Sequence, residues 1–138
     1  MGTPNREAAE IACDCLASRA RHLDRVLART YDGELRPQGV TGSQLGMLVA
    51  IELSGPTTPA RLGRLLELDR STVSRNLARL ADTRLVKLSG GLRITPRGSA
   101  LIKTCHPLWK RAQQKATALL GAPSSRLLAA LPSIGSKT

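Results

Sequence analysis

A chain of 138 residues with a net charge of +11 is the size of one domain, able to bury about two-thirds of the surface that its unfolded form exposes. With 41% apolar, 22% charged and only 1% aromatic residues, the composition excludes a disordered chain and predicts a core of Leu, Ala, Ile and Val built mainly from helices. The charge is uneven, −1 over residues 1–56, +6 over 57–98 and +6 over 99–138, which points to a nucleic-acid partner over the plainer reading of a solvated basic face.

From about Asn5 to Thr30, apolar residues such as Ile11, Leu23, Val26 and Leu27 recur at three- and four-residue steps, predicting one long helix with Arg19, Arg21, Arg25 and Arg29 on its polar side. Gly33 is read as its stop, and Pro37 and Gly39 punctuate the connector that follows. Thr41 with Gln44 has capping-box spacing, and Val40 and Leu45 sit where a hydrophobic staple belongs. This predicts a helix from Thr41 to about Leu53, ended by Ser54-Gly55-Pro56. Thr58 before Pro59 caps the next helix.

Two short helices are therefore predicted over 59–67 and 70–83, joined by a tight turn at Leu68-Asp69: a helix-turn-helix pattern. In the second, Val73, Leu77 and Leu80 share one face, while Thr72, Ser74, Arg75 and Arg79 point the other way. Asp69 or Ser71 is placed to cap it. Next, Leu85–Leu88 and Leu92–Thr95 alternate in polarity around Ser89-Gly90-Gly91, which predicts a hairpin with a three-residue turn and with Val86, Leu88, Leu92 and Ile94 inward. Thr95-Pro96 caps a long helix that should end at Gly121, with Pro107 kinking it or interrupting its hydrogen bonding. A last short helix is read over 124–131, followed by a tail expected to fray.

This order of elements resembles the multiple-antibiotic-resistance regulator (MarR) family. The residues that carry the likeness are Arg29–Asp32, Leu35–Thr41, Gln44, Gly55–Thr57, Leu68–Leu77 and Leu92–Gly98. The resemblance implies a mainly helical fold with a small β-hairpin wing, a winged helix-turn-helix dimerised through its N- and C-terminal helices. It implies a single domain over 1–138, with 1–35 and 99–138 as dimerisation arms and 41–98 as the DNA-binding lobe. The apolar terminal helices call independently for a mate.

The function implied is a homodimeric transcriptional regulator, a repressor, whose helix 70–83 enters the major groove of a double-stranded palindromic operator. By match to the family motif, Ser71, Thr72, Ser74 and Arg75 face base edges or nearby phosphates, with Arg75 as the bidentate reader of a guanine. Arg70 and Arg79, together with Arg61 and Arg64, are candidates for phosphate contact or simple surface charge. The family wing is usually longer than Ser89-Gly90-Gly91, so Arg93 and Lys87 are expected to touch the backbone from the strands, without deep minor-groove insertion. The rival reading is a winged-helix protein-interaction module that does not read DNA specifically.

Cys13, Cys15 and Cys105 admit three readings: small buried hydrophobes, a redox switch, or a soft-metal site with His22 or His106. An odd number of cysteines without a signal-peptide core predicts reduced thiols and a cytoplasmic protein, and no apolar run reaches the ~20 residues of a membrane span. The resemblance also implies a small-molecule effector, typically an aromatic acid, in a cleft between arms and lobe, for which Arg19, Arg36, Tyr31 and Trp109 are available. No phosphate loop, metal-spaced histidine pair or nucleophile elbow is present. An enzyme, a catalytic residue, a bound metal and a cofactor are not expected.

Overall fold

The computed structural model describes Gly2 and residues 5–135. Helix α1 (Arg6–Asp14) leads into α2 (Leu16–Leu35), a 3-10 turn (Arg36–Gln38), α3 (Gly42–Ser54), α4 (Pro59–Leu66) and α5 (Arg70–Asp82). Strands β1 (Val86–Lys87) and β2 (Arg93–Ile94) follow, then α6 (Pro96–Ala129). Met47, Leu48, Ala50 and Ile51 of α3 are fully buried at the centre, where α3 packs against α2, α4, α6 and β2. Among the described residues no helix is long and apolar enough to cross a membrane.

The first predicted helix is two. Cys15 adopts an extended backbone (φ −66°, ψ 107°) that ends α1 and starts α2. The break strands carbonyl oxygens at the end of α1. The guanidinium of Arg19 takes one of them, donating from Nε (3.1 Å) and Nη2 (2.5 Å) to the carbonyl of Cys13. Gly33, expected as a stop, lies inside α2, which runs on to the fully buried Leu35. Burial of that leucine outweighs the about 1 kcal/mol that a glycine costs a helix interior. The chain turns at Pro37 and at Gly39, whose φ is 72°.

The capping signals hold residue by residue. The Thr41 hydroxyl accepts from Gln44 N–H (3.1 Å) while the Gln44 side chain accepts from Thr41 N–H (3.1 Å), completing the capping box. The Thr58 and Thr95 hydroxyls accept from Arg61 N–H (3.2 Å) and Gly98 N–H (3.1 Å). Inside α6 the non-helical backbone falls at Gly121 (φ 75°, ψ 167°) rather than at Pro107. Proline removes one N–H there without ending the run. The expected fraying of the tail meets Ile134, which packs against the core; residues 136–138, the rest of that expectation, lie outside the described residues.

The hairpin is shorter than predicted. Val86 pairs with Ile94 and Lys87 with Arg93, whereas Leu92 exchanges both its backbone hydrogen bonds with Thr57 (2.8 and 3.0 Å). The connection is therefore Leu88–Leu92. Leu88 is 47% exposed, where alternation had placed it inward, because pairing ends at Lys87. The thread to Thr57 ties the wing to the lead-in of α4.

The arms carry the apolar residues that the core does not use. No residue of α1 is buried, and Ile11, Leu16, Leu119, Leu127 and Leu131 are exposed. Helix α2 packs along α6, where Glu34 pairs with Lys115 and with Arg111 (3.5 Å).

Candidate nucleic-acid interface

The turn between α4 and α5 is made by Glu67 in left-handed backbone (φ 55°, ψ 42°), with Leu68 N–H donating to the Gly63 carbonyl (2.9 Å). A side chain at Gly63 would press on that turn, since its Cβ would stand 3.3 Å from the Leu68 carbonyl oxygen. The two helices thus meet closely, and Val73, Leu77 and Leu80 of α5 are buried against the lobe. Arg70, Ser71, Ser74, Arg75 and Arg79 are exposed on the opposite side, and Thr72 is half-buried.

Of the two capping candidates, Asp69 is the cap. Its carboxylate accepts from Thr72 N–H (2.8 Å), the Ser71 hydroxyl (2.6 Å) and the Thr72 hydroxyl (2.7 Å). Ser71 and Thr72 have therefore committed their hydroxyl protons and present only lone pairs outward. Among the described residues Ser74 has no such tie, and Arg75 makes a single 3.5 Å contact from Nη2 to Thr72 Oγ1. The donors on this face are thus Ser74, Arg75 and the flanking arginines.

The same bonds, the Ser71 hydroxyl first, hold the Asp69 carboxyl well below the usual carboxylate range. A folded pKa below the unfolded one gives a stabilisation that is complete above about pH 4 and is lost as pH falls through the folded value. Asp69→Asn is expected to lower the melting temperature near neutral pH, and the gap from the wild type should narrow as the pH is taken down to about 2. A gap of constant size across that range would contradict this account.

Sequence reasoning missed the residues behind this face. Asn76 Nδ2 donates to the Thr72 carbonyl (3.0 Å), and Gln44 Nε2 donates to Asn76 Oδ1 (3.3 Å). Gln44, a buried polar residue, serves both the α3 cap and α5. Asn76 had no distinguishing signal, since mid-helix asparagines are usually solvated. On the wing, Lys87 and Arg93 are exposed as predicted, and the Arg93 guanidinium lies back over Gly90.

The three cysteines are free thiols in different surroundings. Cys13 is exposed, Cys15 intermediate and Cys105 buried. Cys15 stands at the start of α2, where the Ser18 hydroxyl and N–H, and then the Arg21 charge, pull its pKa down. Burial in the core pushes that of Cys105 up. Among the described residues, no three His, Cys, Asp or Glu side chains are grouped to hold a metal ion.

Residues of α2, α3 and α6, with Leu68 and Ile134, line an open-sided cavity of about 1020 Å³ whose wall includes Asp24, Tyr31, Asp32, His106 and Trp109. His106 stacks on Trp109 with ring centroids 5.8 Å apart, and the Tyr31 hydroxyl donates to Gln113 Oε1. Of the four residues offered for an aromatic acid, Tyr31 and Trp109 line it. Arg19 and Arg36 do not.

Two capped helices across a tight turn, followed by a hairpin held to their base, define a winged helix-turn-helix protein. A model of the MarR family matches residues 38–91. Among solved structures, the Mycobacterium tuberculosis transcriptional regulator MosR is 32% identical, with 85% of this chain and 91% of that one covered at a TM-score of 0.74. A MarR family protein of M. tuberculosis in complex with DNA is 25% identical (86% and 98% covered, TM-score 0.68). A mutant MarR of E. coli complexed with operator DNA, 22% identical (87% and 92% covered, TM-score 0.73), shares the fold. No curated protein sequence matches the chain. The chain belongs to the MarR family of transcription regulators.

Proposed function

We propose that this protein is a homodimeric, sequence-specific DNA-binding repressor that sets α5 of each protomer into successive major grooves of a palindromic operator. The observation that carries the reading is the outward face of α5, where Ser74, Arg75 and Arg79 stand exposed on a helix whose start is locked by Asp69. Residues 1–35 and 99–138 act as the dimerisation arms and 41–98 as the DNA-binding lobe of one domain in the cytoplasm. The exposed Ile11, Leu16, Leu119 and Leu127 supply an apolar surface for the mate. Arg75 reads a guanine; Ser71 and Thr72 accept from base amino groups; Arg70, Arg79 and Arg93 contact phosphates. Neither a catalytic residue nor a bound cofactor enters this reading.

DNA binding is modulated either by a small molecule in the cavity between α2, α3 and α6 or by thiol chemistry, for which the lowered pKa of Cys15 favours that residue as the first to react. The test is an electrophoretic mobility shift on DNA from the promoter of its own gene, with scrambled DNA as control, over several salt concentrations and before and after peroxide. The reading expects a retained, sequence-dependent shift that weakens with salt. Binding that ignores sequence, or none at all, would favour the interaction module. Peroxide that alters neither protein mass nor the shift would remove thiol control.

A further inference from the structure

The cavity lined by α2, α3 and α6 concentrates the rarest residues of this chain. The sequence holds one Trp, one Tyr and no Phe, and both aromatic residues stand in this wall with one of the two histidines. It also holds 21 Lys and Arg against 10 Asp and Glu. Yet the described lining has two carboxylates and, apart from the imidazole of His106, no basic side chain: neither Lys nor Arg is among it. The local charge is opposite to that of the protein as a whole.

Asp24, Tyr31 and Asp32 fall on one face of α2, with the two carboxylates two turns apart, about 12 Å along the axis at about 1.5 Å per residue. Asp24 has no hydrogen-bond or ion-pair partner among the described residues. Asp32 uses one oxygen to accept from Gly42 N–H (2.7 Å). Most of the remaining wall is aliphatic, including Leu27, Val49, Ile102 and Ile134. An aromatic carboxylate entering here would shed hydration and face two like charges with no Lys or Arg among the described lining to pair it. A cation of the same size would meet two carboxylates and the rings of Tyr31 and Trp109, both in the wall. Burial raises the Tyr31 pKa, so its phenol stays neutral and offers no competing anion chemistry.

We propose that this cavity binds a lipophilic aromatic cation, such as a quaternary ammonium or phosphonium, in place of an aromatic acid, and that such a cation is the effector of DNA binding. The effector part rests on the DNA-binding reading above; the choice of ligand charge does not. The volume is at the upper end of the roughly 300–1,000 Å³ of small-molecule sites, which suits a multi-ring cation.

The probes are tetraphenylphosphonium and diphenylacetate, titrated by calorimetry at physiological salt into the wild type, Asp24→Asn and the double variant Asp24→Asn/Asp32→Asn. Asparagine at position 32 keeps an oxygen for Gly42 N–H, and the exposed, unpartnered Asp24 tolerates the change if the double variant does not fold. The phosphonium should bind saturably, one per chain, at least tenfold tighter than the acid. It should weaken about threefold in Asp24→Asn and at least tenfold in the double variant. Equal or tighter binding of the acid, or phosphonium binding indifferent to Asp24→Asn, overturns the ligand class. A wild type that shifts its operator but takes no phosphonium also overturns it while leaving DNA reading intact. Carboxylate-dependent phosphonium binding with no change in DNA affinity keeps the ligand class and overturns the effector role.

Discussion

Arg75→Ala is expected to weaken operator binding about ten- to a hundredfold, in line with the ~1–3 kcal/mol of a bidentate arginine–guanine contact, whereas Arg93→Ala should cost about threefold or less, the scale of one exposed phosphate contact. The asymmetry follows from where the structure puts the two guanidiniums. Arg75 is exposed on the outward face of a helix seated by Val73, Leu77 and Leu80, and its hydrogen bond to Thr72 is long at 3.5 Å. It is held in place yet available. Arg93 sits on a two-residue strand with its guanidinium lying back over Gly90, and the turn beyond it is too short to carry a basic tip into the minor groove. Fluorescence anisotropy with the operator and with single-base variants of it checks both. Arg75→Ala should also relax discrimination at one base pair per half-site, while Arg93→Ala should weaken all sequences alike. A hundredfold loss from Arg93→Ala beside a small one from Arg75→Ala would reverse the assignment.

Gly98→Ala is expected to be the most destabilising single methyl group in the chain. Its Cβ would stand 2.3 Å from the Leu85 carbonyl oxygen and 2.6 Å from Ile94 Cγ1. The first of these cannot yield cheaply, because that oxygen also accepts from Thr95 N–H (3.1 Å) while the Thr95 hydroxyl donates to the neighbouring Arg84 carbonyl (2.7 Å), and together these fasten the wing to the start of α6. Insertion of a methyl group into a packed site costs about 1–3 kcal/mol, and with backbone as the obstacle the upper end applies. Thermal denaturation should show a fall of roughly 10 °C, with DNA binding lost in parallel because the wing and α5 share the disturbed base. A fall of only a degree or two would mean that α6 can slide away from β2.

The signals that were legible in the sequence are local ones. Thr41 with Gln44, Thr58 before Pro59 and Thr95 before Pro96 each announce a helix start within a few residues, and the structure places a cap at each. Gly121 announced the break in α6 in the same way. What stayed hidden was set by partners distant in sequence or by backbone choices with no side-chain signature. Leu88 alternates correctly with Val86 but is exposed, since the backbone of Leu92 bonds to Thr57 and not across the hairpin. Nothing about Cys15 marks it as the place where one apolar periodicity becomes two helices.

The candidate site divides along the same line. The outward residues of α5 follow from helical periodicity alone, which suffices to place Arg75 and Arg79. That Asp69 takes the protons of Ser71 and Thr72 depends on rotamers that no spacing encodes. The cavity was the least legible part. Tyr31 and Trp109 were two of four candidates without a pattern to choose among them, and the acidic lining came from the fold of α2 over α3, which excludes Arg19 and Arg36.

Gln44 gives the molecule a common datum. Its side chain accepts from the Thr41 backbone and donates to Asn76, which holds the Thr72 carbonyl, and one residue from Thr41 the Gly42 N–H is held by Asp32 in the cavity wall. The pitch and azimuth of α5 are thereby referenced, through a handful of hydrogen bonds, to a carboxylate on α2. In the proposed dimer a repositioned arm would carry its reading head with it, so that the spacing between two such heads would be set where the arms meet, far from any base pair.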